Sequence, residues 1–320
     1  MKLRTEIIIP KEKHCINYNS KIVLYGSCFT ENLERHFNHY KFQNVSNSHG
    51  ILFHPKAIEN AITDCIIKKK YTEQHIQNFN DLWFSLNHHT RFSSVNIDEI
   101  LTLINSAINE THQVLKSASH IFITLGTAWV YRYIKTNTLV ANCHKIQQNK
   151  FKKELLTIDE VTKSLNHIVS EINQFNSNAK ILFTVSPVRH LKDGFSENTL
   201  SKAYLNTAIH NILDNKKTFY FPSFEIMMDD LRDYRFYKND LLHPNETAVS
   251  YIWNIFKNTW IDEGSYDIMH EVDSIQKSLE HKPFHDQSKQ HQLFLSKLDK
   301  KIESLTKRIP HVRFDNRKSV

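Results

Sequence analysis

The strongest constraint on the fold is a set of four short apolar runs, each stopped by a glycine or a proline turn. Residues 22–25 (Ile-Val-Leu-Tyr) stop at Gly26, His120–Leu125 at Gly126, Lys180–Val185 at Ser186-Pro187, and residues 218–221 (Thr-Phe-Tyr-Phe) at Pro222-Ser223. Runs of this kind, rich in β-branched and aromatic residues and lacking polar alternation, read as strands buried on both faces, which belong to parallel sheets. Between them lie stretches of helical character. Residues 29–39 place Phe29, Leu33 and Phe37 four apart, 56–69 follow Pro55, and 98–116, Ile158–Phe175 and 246–257 complete the set. Strands alternating with helices of this length specify an α/β sheet with helices on both faces. Residues 44–55 read as a polar loop around Gly50.

After Trp260 the pattern changes. Residues 290–305 carry Leu293, Leu298, Ile302 and Leu305 at helical spacing, flanked by Pro283 and Pro310. The chain therefore divides into an α/β domain, 1–261, and a C-terminal helical extension, 262–320, ending in a frayed tail.

Composition limits the function. The 320 residues, 40% of them hydrophobic, fill a sizeable core. The net charge of +7 comes from 41 basic residues scattered among 34 acidic ones, and the longest basic run is Lys68-Lys69-Lys70. That is a solvated surface rather than a nucleic-acid groove. No run approaches the ~20 apolar residues of a membrane span, and the N-terminus lacks the core of a signal peptide. Four cysteines without a C-x-x-C pair suit a reducing cytoplasm. The five glycines are far fewer than the roughly twenty that average usage gives, so each marks a place where the backbone needs one.

Ligands of open α/β sheets collect outside the carboxyl ends of the strands, and there Gly26-Ser27-Cys28 precedes a helix. A serine hydroxyl is a weak nucleophile until a base takes its proton and a third group orients that base. Asp240-Leu241-Leu242-His243 supplies both partners from one loop, because a carboxylate three residues before a histidine can fold back onto one ring nitrogen. The competing readings are an N-cap for Ser27 and a surface histidine for His243. Cys28 reads as a small residue packed behind the turn, or as an alternative nucleophile whose thiol the helix start would favour. Cys143-His144 with His88-His89 lacks the close ligand spacing of a zinc site. Arg189 and His190, after the third strand, could hold an anionic substrate group, and Trp129 and Tyr131 read as core or cleft wall.

Gly26-Ser27-Cys28-Phe29-Thr30 together with Asp240-Leu241-Leu242-His243-Pro244 resembles the SGNH (GDSL-like) hydrolases, and more closely the GSCFA family of bacterial proteins, with threonine in place of the final alanine. Residues 124–131 (TLGTAWVY), 141–145 (ANCHK) and 186–190 (SPVRH) extend the match, which covers roughly residues 3–260. The resemblance implies a three-layer α/β/α, flavodoxin-like fold with Ser27 as nucleophile, His243 as base and Asp240 as its partner. It also implies an oxyanion hole built from the backbone N–H groups of Ser27 and Gly50. The asparagine that serves as third donor in the wider superfamily is replaced by Ala128, so Thr127, Asn142 or His144 would fill its place, or the hole has two arms.

The expected activity is hydrolysis of an acyl or acetyl ester of a small or carbohydrate-like molecule, needing neither metal nor organic cofactor. Acyl transfer to a sugar hydroxyl and a catalytically silent ligand-binding or scaffold role remain open at this point.

Overall fold

The computed structural model describes residues 4–281, 284–285 and 287–314. Five parallel strands form the central sheet: β1 (Lys21–Gly26), β2 (Gln43–Ser46), β3 (His120–Leu125), β4 (Lys180–Val185) and β5 (Thr218–Tyr220). Their spatial order is β5-β4-β3-β1-β2, all pairs parallel. The direction of winding therefore reverses between β1 and β3, the switch point at which ligand clefts form in such sheets.

The one-in, one-out alternation of the strands sorts the core into two layers. Val23, Tyr25, Ile121, Ile123, Leu125, Ile181 and Phe183 face one side, where they pack with helices α2 (Pro55–Ile66), α3 (Ile97–Leu115), α4 (Ile158–Phe175) and α5 (Phe195–His210). Ile22, Leu24, Phe122, Leu182 and Phe219 face the other, against α1 (Cys28–His39), α6 (Glu246–Trp260), α7 (Tyr266–Glu280) and α8 (Lys289–Arg308). This is the three-layer α/β/α architecture with a C-terminal helical extension. The helix ends are locally specified: Thr157 and Glu160 form a reciprocal capping box on α4, and Asn245 caps α6.

Some elements depart from the sequence reading. Residues 43–46, partly inside the stretch read as a loop, form the edge strand β2, whose Gln-Asn-Val-Ser sequence is only half-buried. Two small antiparallel sheets decorate the fold, one from Gln77–Phe79, Leu82–Phe84 and Ser93–Ser94, the other from Trp129–Tyr133, Thr138–Val140 and Phe151–Leu155. The tail is not frayed where it is described, since Val312 is fully buried. Pro283 and residues 315–320 lie outside the described residues.

Candidate functional site

Strand β1 hands over to α1 at Gly26, whose φ of 141° is a glycine conformation; a Cβ there would meet the Thr124 carbonyl oxygen at 2.2 Å. Ser27 follows in extended conformation (φ −68°, ψ 175°) and caps α1, its Oγ accepting from the Phe29 N–H at 3.4 Å. The side chain is fully buried. The N-cap and nucleophile readings of Ser27 thus describe one position.

The two N–H groups expected to bind an oxyanion are both engaged. That of Ser27 donates to the Thr124 carbonyl at 3.1 Å, extending the β1–β3 ladder, and that of Gly50 donates to the Asn47 carbonyl at 2.7 Å, closing a tight turn. Neither is a free donor here, which corrects that expectation. Asn47 ties the two segments together, because its Oδ1 also accepts the Gly26 N–H at 2.9 Å.

The Asp-x-x-His loop folds as its spacing requires. His243 Nδ1 donates to Asp240 Oδ2 at 2.7 Å, while Asp240 Oδ1 accepts the backbone N–H groups of Leu242 and His243 at 2.9 and 3.0 Å. The bonds from the His243 and Leu242 backbones, joined by the ring, pull the Asp240 carboxyl from its usual 3.8 to about 2. Arg189 braces the same loop. Its backbone N–H donates to the Leu242 carbonyl at 3.2 Å, its guanidinium donates to the Leu241 carbonyl at 2.6 Å, and the guanidinium lies over the rings of Tyr237 and Tyr234. Arg189 is therefore a strut under the Asp240–His243 loop rather than an arm reaching for substrate.

Among the described residues His243 Nε2 has no hydrogen-bond partner. The ring opens onto a cavity of about 550 Å³ whose wall includes Cys28, Glu31 and Arg35 of α1. Among the described residues no hydrogen bond joins His243 to Ser27, although both border this end of α1.

A residue not anticipated from sequence lies beneath them. Lys202 of α5 is 2% exposed, and its Nζ donates to the carbonyls of Gly126 and Ser186, both at 2.8 Å, tying together the carboxyl ends of β3 and β4. Burial lowers its ammonium from the usual 10.5 to about 7. The same charge acts on Cys28 and His190, and His190 also feels His243. Burial, with these neighbours, drives the His190 ring down to about 3, so it is neutral. Burial, then Glu31, raises the Cys28 thiol against the opposing pull of Lys202. Cys28 is thus a thiol and not a thiolate, contrary to the lowering expected at a helix start. The signal for Lys202 was present in the sequence, since it shares a helical face with Asn198, Ser201 and Leu205, all buried.

The remaining candidates gather elsewhere. The Thr127 N–H donates to the Phe53 carbonyl at 3.0 Å, and its Oγ1 is bonded to Ser201 and the Trp129 N–H. Asn142 Oδ1 accepts the His144 N–H at 2.9 Å; His144 Nε2 donates to the His88 carbonyl, and its ring stacks on Phe84. Thr127, Asn142, His144 and His190 line a second cavity of about 460 Å³ that shares no lining residue with the first. Gly50 borders neither; it packs against His89.

Behind the 47–50 loop lies a sealed polar network. Ser48 Oγ bonds His49 Nδ1 at 3.1 Å, His49 Nε2 reaches Asp64 at 3.3 Å, and Tyr71 donates to the same carboxylate at 2.7 Å. It has the connectivity of a Ser-His-Asp triad and is buried, Ser48 and His49 being 3% and 1% exposed, and neither residue lines either of the two cavities. The network anchors the loop that carries Asn47 and Gly50.

A doubly wound parallel sheet with a serine capping the helix after its first strand, and an Asp–His pair braced beside its fourth, defines an α/β protein with its candidate site at the switch-point edge. The chain belongs to the GSCFA family, whose model matches residues 21–256; a second model, for the GSCFA domain protein C-terminal domain, matches residues 272–319. No curated protein matches the chain. Among solved structures it is similar to an acetyl xylan esterase, Est2A, from the rumen bacterium Butyrivibrio proteoclasticus, with 10% identity and a TM-score of 0.32 over 65% of this chain. The chain spans 56% of that enzyme's length. No helix among the described residues is long and apolar enough to cross a membrane.

Proposed function

We propose that this chain is an SGNH-type serine ester hydrolase acting on an acyl or acetyl ester, with Ser27 as nucleophile, His243 as base and Asp240 as its partner. The observation that carries the reading is the 2.7 Å Asp240–His243 bond, which fixes one ring nitrogen and leaves the other facing a cavity walled by the residue next to Ser27. In the cycle, Ser27 Oγ leaves its long bond to the Phe29 N–H, attacks the ester carbonyl and passes its proton to His243 Nε2. Collapse of the tetrahedral adduct breaks the bond to the alcohol, which takes the proton. Water, deprotonated by the same ring, then releases the acid from Ser27. The α1 dipole favours negative charge at its N-terminus. Lys202, its Nζ on the Gly126 and Ser186 carbonyls, holds together the carboxyl ends of β3 and β4.

A second reading, a catalytically silent ligand-binding member, is favoured by the burial of Ser27 and by the engaged N–H groups of Ser27 and Gly50. A fluorophosphonate probe separates the two. Labelling that disappears in Ser27→Ala and drops in His243→Ala but persists in Cys28→Ala supports the hydrolase. Folded wild-type protein that never labels supports the silent member, and labelling lost only in Cys28→Ala moves the nucleophile to sulfur. A panel of esters with varied acyl length then names the substrate, and added sugar alcohols reveal transfer in place of hydrolysis.

A further inference from the structure

We propose that the second cavity is a binding site for a polyhydroxylated anion, a sugar acid or a sugar phosphate; in the role of alcohol subsite it rests on the hydrolase reading above. Its volume of about 460 Å³ falls in the range of small-ligand sites. It opens between the residues around Phe53, the hairpin of Trp129–Tyr133 and Thr138–Val140, and the turn at 190–193.

The charge of its wall is unbalanced. Lys145 and Lys192 are exposed residues on its lining, and among the described residues neither has a carboxylate partner. Lys192 shares this wall with Cys143, and its charge opposes the burial that raises that thiol. The one acidic residue of the lining, Asp193, is neutralised by an ion pair with Lys153. An anion entering here meets two cations and no competing negative charge.

The rest of the wall suits a ring bearing hydroxyl groups. Phe53 and Tyr131 present aromatic surface, and among the described residues the Tyr131 hydroxyl has no hydrogen-bond partner. Asn142 uses its oxygen on the His144 N–H, which leaves its NH₂ group for a ligand. The cavity also has a structural link to the proposed chemistry. His190 forms part of its wall, and its neutral ring feels the charges of Lys202 and His243.

Calorimetric titration of the full chain with D-glucuronate, D-glucose 6-phosphate, D-glucose, acetate and inorganic phosphate tests the site. Saturable binding of glucuronate or glucose 6-phosphate is expected, about tenfold or more tighter than glucose and than either simple anion. The Lys145→Met, Lys192→Met double variant changes only exposed side chains and should lose that preference. Which of the two sugars binds distinguishes a carboxylate from a phosphate ligand. The proposal is overturned if neither sugar anion saturates, if glucose binds as well as they do, or if the double variant binds unchanged. Ser27→Ala is titrated in parallel: binding retained while ester turnover is absent even in wild type would sink the hydrolase reading and leave the site standing.

Discussion

At the scale of single residues, the loop from Asp240 to His243 holds a strained backbone. Leu241 has φ 57°, a conformation that costs a bulky residue about 1–3 kcal/mol, and its side chain is 49% exposed, so packing does not hold it there. What holds it is the Arg189 guanidinium on its carbonyl and the Asp240 carboxylate on the next two N–H groups. On the hydrolase reading, Arg189→Ala should lower kcat roughly 10–100-fold with KM little changed, because the base loses its position while the substrate contacts persist. Arg189→Lys should recover only part, a lysine being unable to hold the loop and stack on two tyrosines at once. Steady-state hydrolysis checks both; unchanged kcat in Arg189→Ala would rule out the strut. Lys202 gives a prediction in pH. The unfolded chain keeps that proton to about 10.5 and the folded protein releases it near 7, so unfolding takes up a proton between those values. Stability from this group therefore rises as pH increases from 7 toward 10 and is flat below 7. Urea midpoints at pH 7 and pH 9 should show a smaller upward shift in Lys202→Met than in wild type. The Asp240–His243 bond was legible in the sequence because the partners stand three positions apart, whereas the Arg189 contact joins positions 52 apart and the engaged N–H groups depend on tertiary hydrogen bonds.

At the scale of elements, the β1–α1 turn depends on a close approach between strands. Gly26 lies opposite Thr124 in the ladder, and a methyl group there would collide with the carbonyl that also accepts the Ser27 N–H. Gly26→Ala combines a positive-φ penalty with overpacking, together about 2–6 kcal/mol. A urea titration should show the lowered midpoint, and a loss under 1 kcal/mol would mean that the turn relaxes without cost. The same physics explains which elements could be read in advance. β1, β3, β4 and β5 carry apolar runs because both of their faces are covered by helices. β2 has one neighbour, four half-buried residues and a single valine, so its pattern is that of a loop. The sheet around Trp129–Tyr133 is held by antiparallel register with 138–140 and 151–155, a pairing no local periodicity announces, and it forms much of the wall of the second cavity.

At the scale of the whole molecule, the division at residue 261 separates two family matches but not two cores. Met269, Val272 and Ile275 of α7, Leu298 and Leu305 of α8, and Val312 are buried in the same cluster as Phe37 of α1, Trp253 and Phe256 of α6, and Leu24 of β1. Polar contacts reinforce the join: His39 Nε2 reaches Asp273 at 2.9 Å, and Gln276 donates to the His39 carbonyl. At about 1.5–3 kcal/mol for each buried aliphatic side chain, these six contribute on the order of 10 kcal/mol, comparable to the whole stability of a typical domain. We therefore expect a chain ending at residue 261 to lose cooperative folding, because the outer faces of α1 and α6 would meet water. Circular dichroism during thermal melting, with the monomer content measured alongside, reports this directly. In the full-length chain, Leu298→Ala and Leu305→Ala should each cost about 2–5 kcal/mol by leaving a cavity. A truncated protein that melts cooperatively at the wild-type temperature would show that the last two helices ride on a finished core. Failure of the truncation, joined by losses of that size in the point variants, would make them the outer layer of the same fold that carries Ser27 at its centre.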